Sequence, residues 1–184
     1  MKHTGRRVPP QKDVVSLAGV CYDIVEVLVA SLACIVILFT FLFRVVGVEG
    51  DSMKDTLYQG DRLILCPLLS SPERGDIVVI NRYTDEPLVK RVIGVAGDTI
   101  EIDEELHKVR LNGEILDEPY VQYPTPAYDL SGEIAIPEGY VFVMGDHRND
   151  SHDSRAADIG LVTVNDIVGQ AAFRIWPPQR IGTL

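Results

Sequence analysis

Along the chain the hydrophobic pattern changes character once. From Ile24 to Phe43, 20 residues are broken by a single charge, Glu26, and Val27–Phe43 contains none. At ~1.5 Å rise per residue a helix of that length matches the ~30 Å hydrocarbon core of a bilayer. Arg44 can snorkel at one end, and Glu26 lies near enough to the other interface to do the same. A cleaved leader would have a shorter apolar core with a small-residue site behind it, whereas Phe41-Leu42-Phe43-Arg44 follows here. A lipoprotein anchor would carry its cysteine just past the apolar core; Cys34 sits inside the run. The pattern predicts a transmembrane helix over 24–44.

Beyond Arg44 the period shortens to two, in short apolar runs bounded by turn residues. The expected strands are Val45–Val48, Arg62–Cys66, Asp76–Asn81, Leu88–Val95, Thr99–Ile102, Val109–Leu111, Tyr140–Met144 and Val168–Ile175. Gly60-Asp61, Gly75-Asp76, Gly97-Asp98 and Asn112-Gly113 punctuate them, and Pro119, Pro124 and Pro126 make the middle loop-rich. Only Asp51–Leu57 and Ser154–Asp158 offer short helical turns. The expected class is all-β: folded antiparallel sheets forming one compact domain over 45–184, hung from one helix, with a basic segment at 1–23.

Composition sharpens this division. Residues 1–12 carry Lys2, Arg6, Arg7 and Lys12 and no acid, while from Arg44 onward 13 Lys and Arg face 24 Asp and Glu. The basic end should stay cytoplasmic, so the β-domain faces outward. A domain this acidic offers nothing to offset phosphate repulsion, which argues against nucleic acid. Cys21, Cys34 and Cys66 leave at most one thiol in the main domain, so a disulfide framework is excluded. No C-x-x-C and no paired histidine stands at metal spacing, and neither a metal nor a cofactor is expected.

Three segments can carry chemistry. Gly50-Asp51-Ser52-Met53-Lys54-Asp55-Thr56-Leu57 follows the first strand, and its Gly-flanked turn can present a hydroxyl while its amides serve as oxyanion donors. Lys90 sits in an otherwise apolar strand, with Leu88 and Val92 on its face. An ordinary lysine near pKa ~10.4 is protonated at neutral pH, so a basic role needs burial to lower it by several units. Met144–Arg155 is dense in acids, serines and arginines, more like a hydrogen-bonded scaffold than a solvated loop.

In this order, behind an N-terminal anchor, these segments resemble the bacterial type I signal peptidases, in their short single-span form. The likeness rests on Ser52-Met53-x-x-Thr56-Leu57, on Lys90-Arg91-Val92-Ile93-Gly94 through Gly97-Asp98, and on Gly145-Asp146-x-Arg148, Ser151 and Asp153-Ser154-Arg155. The resemblance implies a membrane-bound serine endopeptidase that removes signal peptides from secretory preproteins, cutting after small residues at −1 and −3. Ser52 would be the nucleophile and Lys90 the general base. Ser151 would orient the lysine amine, and Asp146, Arg91, Asp153 and Arg155 would pair around the site. Met53, Leu57 and Val89 would line the pockets for small side chains. Two positions depart from the family pattern: Asp55 stands where proline is usual, and Gly50 stands where some members place a serine that helps bind the oxyanion. Eight steps of chain from Arg44 put Ser52 within about 27 Å of the anchor's end, in reach of peptide bonds emerging from a bilayer.

Other readings compete. A Ser-His-Asp protease could use His152 and Asp153, although an extended backbone would send His152 away from the face of Ser151. A self-cleaving repressor shares the Ser/Lys chemistry and has a suggestive Ala18-Gly19, but the apolar run separates that bond from Ser52 and no DNA-binding segment is present. An inactive anchored β-module that binds exported peptides is favoured only by Asp55 and Gly50.

Overall fold

The computed structural model describes residues 17–67, 71–81 and 86–184; the basic stretch at 1–12 lies outside the described residues. The chain divides after Phe41 into two units, which are taken separately.

The first unit is helix α1, Leu17–Leu42. It begins before the expected boundary, because Leu17–Asp23 contains no helix breaker beyond Gly19, and it stops two residues short of Arg44. Its stretch Ala18–Ile37 has a mean hydropathy of 2.3 and buries none of its length in protein. Val27, Leu28, Val29 and Ile37, spaced about 80–100° apart around the axis, are all more than half exposed. An apolar surface all round suits lipid rather than a core or water. Ser31 and Thr40 donate their hydroxyls to the carbonyls of Val27 and Val36, both at 2.7 Å, so these polar groups are satisfied within the helix.

The second unit holds twelve strands: β1 Arg44–Gly47, β2 Arg62–Cys66, β3 Ile77–Ile80, β4 Leu88–Gly94, β5 Thr99–Asp103, β6 Lys108–Leu111, β7 Glu114–Ile115, β8 Ile134–Ala135, β9 Tyr140–Met144, β10 Val162–Thr163, β11 Ile167–Trp176 and β12 Gly182–Thr183. They form two antiparallel sheets. The larger runs β1-β2-β11-β3-β4-β9-β10, with β12 paired to β11; the smaller runs β7-β6-β5-β8. The eight expected strands are all present, each within a residue or so at either end. The unexpected ones, β7, β8, β10 and β12, have two residues each, too short to show a period. Asp51–Thr56 and Ser154–Ile159 close as turns rather than helices, while short 3₁₀ turns form at Val164–Asp166 and Pro178–Arg180.

Alternation along the strands sorts the core. Val48, Met53, Leu57, Leu63, Leu65, Ile77, Val79 and Ala171 form one cluster beneath the first part of the large sheet. Val78, Ile80, Val92, Val141, Val143, Ile159 and Val162 form a second, with Leu88 packed against it. Ile93, Ile100, Ile102, Val109, Phe142 and Met144 belong to a third, which includes the small sheet. Lys90 lies opposite Val78 in the β3–β4 register, between Leu88 and Val92, so its strand carries it into apolar surroundings.

Candidate active site

Lys90 is only 2% exposed, and its Nζ lies 2.7 Å from Ser52 Oγ. The two residues are 38 apart in sequence and meet because the turn after β1 folds onto the start of the loop after β9. His147 donates its backbone N–H to the Ser52 carbonyl at 3.0 Å, and His147 Nδ1 lies 3.2 Å from the Asp51 carbonyl. Within the turn, Leu57 N–H bonds the Met53 carbonyl at 2.7 Å and Lys54 N–H bonds that of Asp51 at 2.9 Å. The Ser52 N–H has no hydrogen-bond partner among the described residues.

Burial lowers the Lys90 pKa to about 8; Asp153 opposes the shift and Arg155 reinforces it. The balance depends on what the acids around the lysine are doing. Asp146 accepts two hydrogen bonds from Arg91, at 2.9 and 2.7 Å, and one from Thr56 Oγ1 at 2.6 Å. Asp153 accepts from Arg155 at 2.8 and 2.7 Å, from Ser151 Oγ at 2.6 Å and from the Gly145 amide at 3.0 Å. Burial works to raise Asp153, but Arg155, Ser151 and the Gly145 amide hold it below the usual carboxylate range. Burial would likewise lower Arg91, and Asp146 more than reverses this. Asp146 and Asp153 are thus spent on guanidinium groups, and desolvation outweighs the pull that these two and Asp150 exert toward the ammonium.

Of the expected residues, Ser52 meets Lys90, and Asp146–Arg91 and Asp153–Arg155 form two bidentate pairs, whereas Lys90 makes no hydrogen bond to Ser151. Ser151 is 8% exposed and gives its proton to Asp153. A Cβ built on Gly145 would lie 2.3 Å from both Ser151 Oγ and the Ser52 carbonyl oxygen, so Gly145 is wedged between the two serines. Met53 and Leu57 are buried at 2% and 0% exposure in the core cluster, and Val89 packs on that cluster from the surface. Val89 also lines a groove of about 530 Å³ with Val46, Gly47, Leu65, Val79, Pro87 and Val168. Its rim includes Glu49 and Glu86, on the two segments that lead into Ser52 and Lys90.

Asp55 adopts φ +79°, and its Oδ2 is buried without a partner. Proline is locked near φ −65° and cannot adopt this conformation, whereas Asp is among the few residues that tolerate it. The turn carrying Ser52 is therefore shaped differently from one with proline at 55. His152 is half-exposed and pairs with Asp158 at 2.9 Å, not with Asp153.

Several contributors had no local signal. Glu118 accepts from Arg148 in a two-pronged pair and from Tyr120 Oη at 2.8 Å, and the Tyr120 ring lies 4.2 Å from the Arg91 guanidinium. Burial and then Glu118 push the Tyr120 phenol well above its ordinary value. Arg148, with no exposed surface, donates to the Gly145 carbonyl at 3.0 Å. Only the fold places the proline-rich middle of the chain beside Met144–Arg155. His147 lay inside the third segment, but nothing local marked its amide as the clamp on Ser52.

An all-β domain that seats a serine hydroxyl against a desolvated lysine has the layout of a hydrolytic enzyme. The chain is matched over residues 21–176 by the family model described as signal peptidase, peptidase S26, and it belongs to that family of peptidases. It is 38% identical over 152 residues to the signal peptidase I of Bacillus caldolyticus, covering 74% of this chain and 81% of that one. A signal peptidase I of Bacillus amyloliquefaciens is 34% identical over 179 residues, 91% of each chain. Among solved structures, a signal peptidase I from Enterococcus faecalis matches with a TM-score of 0.46 and 27% identity, over 56% of this chain and 98% of that one.

Proposed function

We propose that this chain is a membrane-anchored signal peptidase that cleaves secretory preproteins through a Ser52/Lys90 dyad. The observation that carries the reading is the 2.7 Å contact between Ser52 Oγ and a buried lysine whose pKa is lowered to about 8. Neutral Lys90 takes the Ser52 proton as Oγ attacks the scissile carbonyl, and the resulting ammonium protonates the departing amine. A water then enters and loses its proton to Lys90 as it attacks the acyl ester, and the ammonium returns that proton to the departing Ser52 Oγ, which restores the neutral amine and the hydroxyl. The partnerless Ser52 amide is the oxyanion donor on this chain's own backbone. Ser151 gives its proton to Asp153, which leaves its oxygen lone pairs as the acceptor that would orient the amine once the two close on each other during turnover.

The substrate lies in the groove beside Val89, between the segment leading to Ser52 and the one leading to Lys90, while Met53 and Leu57 belong to the core cluster on which Val89 packs. The preference for small residues at −1 and −3 is the one that the resemblance to the family implies. Residues 24–44, most of them in α1, are the anchor, residues 1–23 are cytoplasmic, and 45–184 is the extracytoplasmic catalytic domain.

The test is cleavage of a secretory precursor in detergent by the wild type, Ser52→Ala and Lys90→Ala, with Ala or Phe at −1 of the substrate. The wild type should cut the Ala precursor at a single bond, and both variants should lose nearly all turnover. Phe at −1 should slow the wild type by ~10²-fold, because an overfilled pocket misplaces the carbonyl. Full activity of Lys90→Ala, or equal rates with Ala and Phe, would refute the dyad or the pocket respectively.

A further inference from the structure

His147 is joined to the turn that carries the nucleophile at two points. Its backbone N–H donates to the Ser52 carbonyl at 3.0 Å, and its ring Nδ1 lies 3.2 Å from the Asp51 carbonyl oxygen. A carbonyl only accepts, so Nδ1 carries the proton and donates it. The Asp150 carboxylate, 4.0 Å from the same nitrogen, is also an acceptor and favours the same tautomer. The ring has little room to leave. Its side chain is 13% exposed and packs on Tyr123, with ring centroids 4.4 Å apart and planes tilted by 44°.

The Asp51 carbonyl and the Ser52 N–H are the two ends of a single planar trans peptide group, and they point in opposite directions. That carbonyl also accepts the Lys54 N–H at 2.9 Å, so both of its lone pairs are engaged. The Lys54 bond lies within the turn itself. The ring bond reaches it from 96 residues away, and ties the peptide to the loop that carries Asp146 and Ser151. Fixing the oxygen fixes the direction of the N–H, and hydrogen bonds to the oxygen leave that N–H a stronger donor. The Ser52 N–H is the end left without a partner among the described residues, and Gly50 has no side chain to supplement it.

We propose that the His147 imidazole is a positioning residue: by donating to the Asp51 carbonyl it aims and polarises the 51–52 peptide, so that the Ser52 N–H meets the oxyanion as it forms. The inference rests on Ser52 as the nucleophile and on its amide as the oxyanion donor. The imidazole touches no reacting atom and exchanges no proton. Its effect grows as negative charge develops on the carbonyl oxygen, so it acts on the transition state rather than on the binding of substrate.

Leucine and asparagine have nearly the same shape, but asparagine can place an N–H close to where Nδ1 stands. His147→Leu and His147→Asn are therefore compared in the full chain, together with His147→Phe, which keeps a ring against Tyr123 without a donor. Losing an oxyanion donor outright costs ~10²–10³-fold in kcat, and loosening one should cost about 10-fold. The Leu and Phe variants, shown to be folded by circular dichroism, should lose that factor in kcat for precursor cleavage with KM within about two-fold of wild type. The Asn variant should recover most of the rate. A peptide boronate ending in Ala, which forms a tetrahedral adduct on Ser52 Oγ, should lose affinity in proportion to kcat. The same peptide with its scissile carbonyl reduced to a methylene offers the amide no oxygen, and its affinity should not change. Wild-type kcat in either folded donorless variant would overturn the proposal. So would an Asn variant as slow as Leu, or a loss that falls on KM and on both peptides alike. Ser52→Ala keeps the two levels apart: if it still cleaves, the nucleophile is wrong and the role of His147 falls with it, whereas a dead Ser52→Ala beside fully active His147 variants removes the positioning role alone.

Discussion

Gly145→Ala puts the geometry of the site to a sharp test. The added methyl would stand 2.3 Å from the Ser52 carbonyl oxygen and 2.3 Å from Ser151 Oγ. Carbon–oxygen contacts settle near ~3.3 Å, so each neighbour must retreat by about 1 Å or the glycine must move away from both. The glycine is not free to move: its amide donates to Asp153 and its carbonyl accepts from Arg148, both at 3.0 Å. The Ser52 carbonyl is itself held by the His147 amide. Strain therefore falls on the turn that carries the nucleophile. A displacement of about 1 Å in a reacting group costs on the order of 10²-fold in rate, and overpacking costs ~1–3 kcal/mol in stability. The assay is kcat/KM for precursor cleavage, with thermal unfolding by circular dichroism to show that the variant is folded at the assay temperature. Gly182→Ala, where a Cβ meets nothing within 4 Å, is the control and should match the wild type. A folded Gly145→Ala enzyme within a few-fold of wild-type activity would refute the argument that Ser52 and Ser151 are wedged against this backbone.

Two further outcomes follow from the same structure. Asp55→Gly should preserve activity, since glycine accepts φ +79° and removes a buried unpaired oxygen, whereas Asp55→Pro should cost ~10-fold or more in kcat/KM unless the turn rebuilds; equal activity for the two would show that the turn does not depend on residue 55. Lys90→Met should abolish turnover yet stabilise the fold at neutral pH. With the folded pKa at about 8 and the ordinary value at 10.5, the unfolded chain alone holds the proton between them, so wild-type stability rises with pH through that window. Below about 8 the buried ammonium costs roughly 3 kcal/mol, which the variant escapes and which urea titration at pH 7 and pH 11 should show as a gain that disappears; an unchanged or lowered midpoint at pH 7 would mean that the lysine is not desolvated.

Much of the fold was legible because its signals are periodic. The uninterrupted run from Val27 to Phe43 and the alternation of strands such as Leu88–Gly94 declare themselves locally. The two-residue strands β7, β8, β10 and β12 do not, since they exist only by pairing with longer neighbours. The site was legible where chemistry is written into residue type and order: Ser52 on a Gly-flanked turn, and Lys90 in an apolar strand. What could not be read was the cross-chain wiring. Glu118 and Tyr120 come from a proline-rich stretch with no period, and they reach Arg148 and Arg91 only after the two sheets are assembled. Asp55 was visible as a departure from the family pattern, but its left-handed backbone was not, because φ is a property of the closed turn.

The central claim is that neutral Lys90 is the base, and the pH dependence of kcat/KM tests it most directly. Because the unprotonated amine is the active form, activity should rise with pH through a limb at about 8, the value that burial gives Lys90. Measured from pH 5 to 10, His152→Ala should retain both that limb and the rate above it, since His152 pairs with Asp158 away from the dyad. A limb near ~6.5 that vanishes in His152→Ala, with Lys90→Ala still active, would assign the base to histidine and contradict the account.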